Sequence, residues 1–397
     1  MKPLSSGWWT GVAGAFGREW RRMTGDRYYL WTMVLIPVAA AALLGAVFSP
    51  STLRRLPVAV CDQDHSALSR QIVRLLDATA EIAVVFHPAD LKAGQRLLKT
   101  GRCQALIDLP MGLERDADRG TPQPVVAYLG NCFLLPAGTV EKPVQATLTT
   151  VSLHRAAAVR MAKGEMAAAA ADQTRPVHLD ARIMFNPYLN YAHFLTATLL
   201  PALLNILVVS ISVFAYGSEL RHKTADEWLA CAGGHPWAAV IGKGLAHATV
   251  FWTLALAMLA WLVKSQHLVI AGSPLRLWTA TVLLVATGQA VALVLVAAIA
   301  NMRLALSMGG VWSVTAYPFA GITYPLIGMP VAARLWSESL PLTHYLKILF
   351  AETLRASLAA PQTTAWLVLA GVPLVATIAA MTRLPRLMRD PGTWGRL

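Results

Sequence analysis

The chain has 397 residues, of which 56% are hydrophobic and only 14% charged, with a formal net charge of +13. A soluble globular chain carries roughly a quarter charged residues, so this composition excludes a soluble enzyme and indicates a polytopic membrane protein. The surplus Lys and Arg sit at the ends of apolar runs or scatter through one polar region, a distribution set by membrane orientation and not by nucleic acid.

Residues 1–29 read as a basic amphipathic lead-in. Trp9, Val12, Phe16, Trp20 and Met23 recur on one helical face, with Arg18, Arg21 and Arg22 opposite. An aromatic stripe under a basic face predicts a helix lying in the headgroup plane; an ordinary packed helix is the alternative. The uncharged run over residues 30–48 predicts a first membrane span. It is too long for a signal-peptide core, and no A-x-A site follows it.

Residues 49–190 form the polar region. Short β-rich runs at residues 56–61, 80–86, 103–109 and 124–129 are joined, across the first three, by helical patterns at 66–76 and 88–99. Strands alternating with helices predict a small α/β domain. Asp62-Gln63-Asp64-His65-Ser66 reads as a turn whose Ser66 caps the next helix, with a catalytic cluster as the alternative. The Ala-rich tract from His154 to Asp172 predicts a long helix returning to the membrane. Cys61, Cys103, Cys132 and Cys231 show no CxxC spacing, so no zinc site is expected. A Cys61–Cys103 disulfide and plain buried thiols are both open readings of the polar region.

A turn at Met184–Pro187 leads into a second uncharged run at about 191–216. Further runs lie at about 244–263, 277–300, from 304, and 364–381, which makes six spans with the first. Thr198, Asn205 and Ser212 share a face of the second, and Gln289 and Ser313 lie within later ones. Polar groups at this depth turn towards protein or water, so these five mark a helix interface or a substrate path. Residues 322–360 stay apolar although prolines interrupt them, which predicts re-entrant or external helices. A basic tail occupies 382–397.

No span interior holds Asp, Glu, Lys or Arg, which argues against an ion-coupled carrier. No GxxxxGK[ST] phosphate loop is present, so the chain is not expected to hydrolyse ATP or to hold a cofactor. Between the second and third spans lies a polar stretch, Gly217 to Lys243. Thr224-Ala225-Asp226-Glu227 before Trp228 has the pattern of a capped helix start. The stretch reads as a solvated connector or as a short coupling helix. In the second reading the docking set is Glu219, Thr224, Asp226, Glu227, Trp228 and Lys243. Glu219 and Asp226 then meet basic groups on a soluble partner, and Trp228 fills an apolar pocket there.

Glu219, His222, Thr224, Asp226 and Leu229, followed by Ile241-Gly242-Lys243, resemble the pattern after the second span of type-2 ABC-transporter permeases, the membrane subunits of ATP-driven exporters. Where that family has Gly before the Thr, this chain has Lys223. The run from Val60 to Ser66 resembles the opening of the family's external domain, with Cys61 inserted before the first acid, and Pro341-Leu342-Thr343-His344-Tyr345 resembles its segment after the fifth span. The resemblance covers nearly the whole chain in segment order, within the subfamily that carries a large external domain between spans 1 and 2.

It implies a polytopic α-helical membrane protein, with six transmembrane helices and an external α/β domain inserted between helices 1 and 2. It also implies a separate ATP-binding ABC subunit, a homodimer or a heterodimer with a second permease, a periplasmic adaptor protein as a further partner, and the bacterial inner membrane. With both termini inside, Lys plus Arg number 13 in residues 1–27, 217–243, 303 and 383–397, against 5 in the short outer segments. A membrane receptor with an external ligand-binding domain is the main rival, and its signalling module would have to fit inside segments of about thirty residues. A membrane-embedded enzyme would need clustered His, Asp or Glu in the spans.

Overall fold

The computed structural model describes residues 6–47, 55–119, 124–129, 134–162, 191–265, 268–322, 324–355 and 362–395. The Met184–Pro187 turn, Cys132 and the end of the Ala-rich tract lie outside them. The chain divides into two compact units: Met1–Ser51 with Met184–Leu397, and Thr52–Ile183.

The second unit is a four-stranded sheet in the order β2-β1-β3-β4, from β1 (Leu56–Asp62), β2 (Ile82–Phe86), β3 (Ala105–Leu109) and β4 (Val126–Leu129). β1 runs parallel to β2 and β3, and β4 is antiparallel to β3. Its helices, numbered within the whole chain, are α4 (Ala67–Asp77), α5 (Leu91–Lys99), α6 (Leu113–Arg119) and α7 (Leu134–Ala162). The alternation of side chains along β1 explains why both faces are covered. Val58 and Val60 join Leu68, Ile72 and Leu76 in one core, while Ala59 and Cys61 join Cys103 and Leu106 in another.

The Asp62–Ser66 stretch is structural. Ser66 Oγ caps α4 by accepting from Ser69 N at 3.0 Å. Asp64 accepts from Gly112 N at 2.7 Å and Glu114 N at 3.1 Å, stitching the end of β1 to the end of β3. Burial pushes the Asp64 carboxyl up, but bonds from Ser66 and these amides outweigh it and hold the carboxyl below its ordinary range.

Cys61 and Cys103 are free thiols, which corrects the disulfide expectation. Cys61 stands opposite Asp108 in the β1–β3 ladder, and Cys103 precedes β3, so the two do not oppose each other. Burial pushes both thiols up, leaving little thiolate. In a Cys132→Ser background, native protein is expected to react with a bulky maleimide at Cys231, which is exposed, and at neither buried thiol. Mass spectrometry counts the adducts, and fast labelling at Cys61 or Cys103 overturns the assignment.

The first unit begins with α1 (Ser6–Gly25), a single turn α2 (Arg27–Leu30), a π-helical stretch at Trp31–Leu35 and α3 (Ile36–Val47). It continues with α8 (Tyr191–Arg221), α9 (Ala225–Cys231), α10 (Pro236–Ser265), α11 (Pro274–Ile299) and α12 (Met302–Phe319). α13 (Val331–Ser339), α14 (Pro341–Phe350), α15 (Thr363–Met381) and α16 (Leu384–Leu387) complete it. Among the described residues four helices are long and apolar enough to cross a membrane: Leu195–Arg221, Pro236–Ser265, Pro274–Ile299 and Thr363–Met381. Trp31–Ala46 is apolar but shorter.

Small residues bring helices close. A Cβ at Gly288 would lie 2.8 Å from Val208 Cγ1, and one at Gly309 3.1 Å from Val209 Cγ1, so α11 and α12 both pack tightly on α8. Of the segment broken by prolines, α13 is largely exposed, whereas α14 buries most of its length. His344 Nε2 lies 2.8 Å from Glu338 O, and Tyr345 OH 3.2 Å from Thr281 Oγ1.

Among the described residues the bundle has three cores. One lies at the α9 end and gathers Val12, Tyr216, Trp228, Ala239, Val296 and Met388. A second gathers Leu200, Leu262, Leu277, Leu340, Tyr345 and Leu369. A third gathers Met23, Tyr29, Met33, Val208, Phe251 and Val285.

Candidate functional site

At the α9 end, three helices converge on a buried cluster of charges. α10 follows α9 closely, and Gly242 in its second turn makes room for α1. A Cβ there would sit 2.4 Å from Val12 O and 2.7 Å from Ala15 Cβ. Gly11 and Gly14 on α1 likewise press against the carbonyls of Ala232 and Cys231, at 2.5 Å and 2.4 Å from where a Cβ would lie. The helices meet almost backbone to backbone, which places the next residue along, Lys243, opposite Glu19.

Lys243 and Glu219 have no solvent exposure, and Glu19 has 1%. Lys243 Nζ donates to Glu19 Oε2 at 2.7 Å and to Glu219 Oε1 at 2.6 Å. Glu219 Oε1 also accepts from Arg18 Nη1 at 2.8 Å and Arg22 Nη1 at 2.9 Å. Its Oε2 accepts from Arg18 Nη2 at 3.1 Å and Thr224 Oγ1 at 2.5 Å. Burial pulls Arg18 down, but the bond and charge of Glu219 prevail and hold its guanidinium above the ordinary value. Three cations and two carboxylates thus join α1, α8, α10 and the residue before α9. A buried charge is tolerated when it is paired and bonded in this way.

His247, one turn further along α10, extends the network. Its Nδ1 lies 3.0 Å from Lys243 O, so that nitrogen carries the proton. Its Nε2 lies 2.7 Å from Tyr29 OH and 3.6 Å from Glu19 Oε1.

The sequence-predicted set divides here. Glu219, Thr224 and Lys243 lie in the cluster. Asp226 and Glu227 are exposed on α9, with Glu227 Oε2 3.8 Å from Arg18 Nη2. Three expectations are corrected. Thr224 gives α9 no side-chain cap, because its hydroxyl donates to Glu219 instead. Glu219 is saturated by its own chain and cannot meet a partner. Trp228 is 1% exposed: its Nε1 donates to Ala239 O at 3.1 Å, and the Lys243 ammonium lies 5.3 Å from its ring centroid. Lys223 has φ +59°, so the position at which the resembled pattern has Gly keeps a left-handed backbone, now borne by Lys.

α1 also differs from expectation. Arg18 and Arg22 turn into the bundle, while Trp9 is 65% exposed and Trp20 38%. The buried stripe runs through Val12, Ala15, Glu19 and Met23. Glu19 went unread in the sequence. The available signal was Lys243, a lone cation two turns into an apolar helix, which requires a buried acid.

Of the second predicted set, two members bond across helices: Thr198 Oγ1 lies 3.2 Å from Tyr317 OH, and Gln289 Nε2 donates to Gly244 O at 2.9 Å. Ser313 Oγ donates within its own helix, to Gly309 O at 2.7 Å. Asn205 and Ser212 are buried, and Nδ2 and Oγ make no hydrogen bond among the described residues. Among the described residues no group of His, Cys, Asp and Glu could hold a metal ion.

A family model described as ABC-2 family transporter protein matches residues 27–382. No curated protein matches the chain.

Proposed function

We propose that this chain, which belongs to the ABC-2 transporter family, is the permease subunit of an ABC exporter and is driven by ATP hydrolysed on a separate subunit. Family membership makes it a multi-pass membrane component that pairs with an ATP-binding ABC subunit. We extend this to six spans by counting Trp31–Ala46 and Met302–Phe319 with the four longer helices. Both termini and α9 then lie in the cytoplasm, and residues 52–183 outside it. The 13-to-5 charge ratio supports that orientation. A dimer with a second permease, a periplasmic adaptor and the bacterial inner membrane belong to the same reading.

The observation that carries it is the buried cluster beneath α9. α9 offers Asp226 and Glu227 to the outside, while Thr224 bonds Glu219, and Glu219 in turn holds Arg18, Arg22 and Lys243. A push on α9 by an ATPase is thereby passed to three helices at once. The receptor reading has no such use for a rigid charge cluster at the connector.

The test is Asp226→Lys with Glu227→Lys. Both residues are exposed, so folding changes by about 0.5 kcal/mol or less. Like charges brought together at an interface cost several kcal/mol, so retention of the ATPase on purification falls by more than about tenfold. Full retention in a folded double variant makes the segment a connector only.

A further inference from the structure

A second charged surface, outside the buried cluster, is built by three parts of the chain that meet at the same end of the bundle. α8 ends at Arg221, the α11–α12 turn follows through Ala300 and Asn301, and the tail after α15 folds back across both. Arg383 Nη1 donates to Ala298 O at 3.1 Å, and Gly395 N donates to Leu220 O at 3.0 Å. Trp394 Nε1 anchors the tail by donating to Leu387 O at 2.8 Å. Arg221, Asn301, Met302 and Thr393 line one small cavity between these parts.

The surface carries Arg221, Lys223, Arg303, Arg383, Arg386 and Arg389, all exposed except Arg221, which is half-buried. None of the six is in an ion pair among the described residues. Asp390 is the acid nearest in sequence to the tail arginines, and its carboxylate caps its own turn at Gly392 N. This contrasts with the buried cluster, where every cation has a carboxylate partner.

Depth decides what these cations meet. Arg221 is the last residue of α8, Arg303 the second of α12, and Arg383 lies two residues past the end of α15. Cations one turn from the end of an apolar span stand at headgroup level. A soluble partner would meet the exposed acids of α9, Asp226 and Glu227. We propose that this surface binds the phosphate of an anionic phospholipid headgroup, with the folded-back tail supplying Arg383, Arg386 and Arg389. The inference requires only that the helices cross a membrane, and not that the chain exports anything.

The experiment uses the full chain in neutral detergent. It measures retained lipid by native mass spectrometry after addition of dioleoyl phosphatidylglycerol, dioleoyl phosphatidylcholine or inorganic phosphate. Each cation near a lipid surface contributes about fivefold in affinity, so the wild-type chain retains phosphatidylglycerol at least about tenfold over phosphatidylcholine. Arg383→Gln, Arg386→Gln and Arg389→Gln together abolish the preference, whereas the three Arg→Lys changes keep it. If the Gln variant does not fold, the wild-type preference must still fall as salt is raised from about 50 to 500 mM. Equal retention by the folded Gln variant, a preference insensitive to salt, or displacement of the lipid by equimolar phosphate overturns the proposal. So does a Gln variant that keeps the lipid but loses a co-purifying ATPase, since the surface would then be a protein dock.

Discussion

Lys243→Met is expected to destabilise the helical unit by about 3–5 kcal/mol, the cost of breaking a buried ion pair by removing one partner. The methionine fills the space of the aliphatic stem, so the loss is mainly electrostatic. Glu219 keeps Arg18 and Arg22, but Glu19 loses the only cation within 3 Å of it among the described residues and is left as an unpaired carboxylate 1% exposed. Adding Glu19→Gln removes that orphan charge, so the double variant recovers much of the loss. The comparison is made by thermal unfolding in one detergent at one scan rate, because membrane-protein unfolding is usually irreversible. Partners in contact give non-additive losses. Purely additive losses, with no recovery in the double variant, would show that the two charges do not depend on each other.

Trp228→Ala carries a comparable cost, about 3–5 kcal/mol for emptying a buried aromatic site. It also removes the hydrogen bond from the indole to Ala239 O at 3.1 Å, whose carbonyl lies within α10. Trp228→Phe keeps most of the packing with Tyr216 and Lys243 and loses only the hydrogen bond, about 0.5–1.5 kcal/mol. Unfolding midpoints should therefore rank wild type, then Phe, then Ala, while the Asp226 and Glu227 changes leave the midpoint in place. A Trp228→Ala chain with the wild-type midpoint that has nonetheless lost its ATPase would make Trp228 an outward anchor after all.

Much of the scaffold was legible because periodicity reports burial locally. The runs that predict strands at residues 56–61 and 103–109 hold the residues observed in β1 and β3, since alternating small and branched side chains suit a sheet covered on both faces. The uncharged runs mark the long helices for the same reason. The cluster was only half legible. Glu219 and Lys243 sit in one short polar stretch and drew notice, but nothing local says that they point inward. Trp228 between acids looks like an exposed anchor, and only the nearness of Ala239 and Tyr216 shows otherwise. Glu19 looks like one more charge on a basic helix, because its partner lies 224 residues away. The aromatic spacing on α1 takes in Val12 and Met23, which are buried, together with Trp9 and Trp20, which are exposed. Gly11, Gly14 and Gly242 set the face that packs on α9 and α10 by letting backbones touch, and small residues leave no mark in a hydrophobic pattern.

Those separations also set a schedule for biosynthesis. Arg18 and Arg22 wait for Glu219 across 201 and 197 residues, and Glu19 waits for Lys243 across 224. At roughly 5–20 residues per second, the ribosome needs on the order of 10–40 s to deliver the partners. Through that interval α1 is finished but unmatched, with its carboxylate and guanidinium groups left in water or against the membrane surface. The α/β unit is translated within the same gap, so it has time to fold before the helices lock. Closure of the cluster is then a late event, and a nascent chain stalled near residue 215 should still leave α1 open to protease.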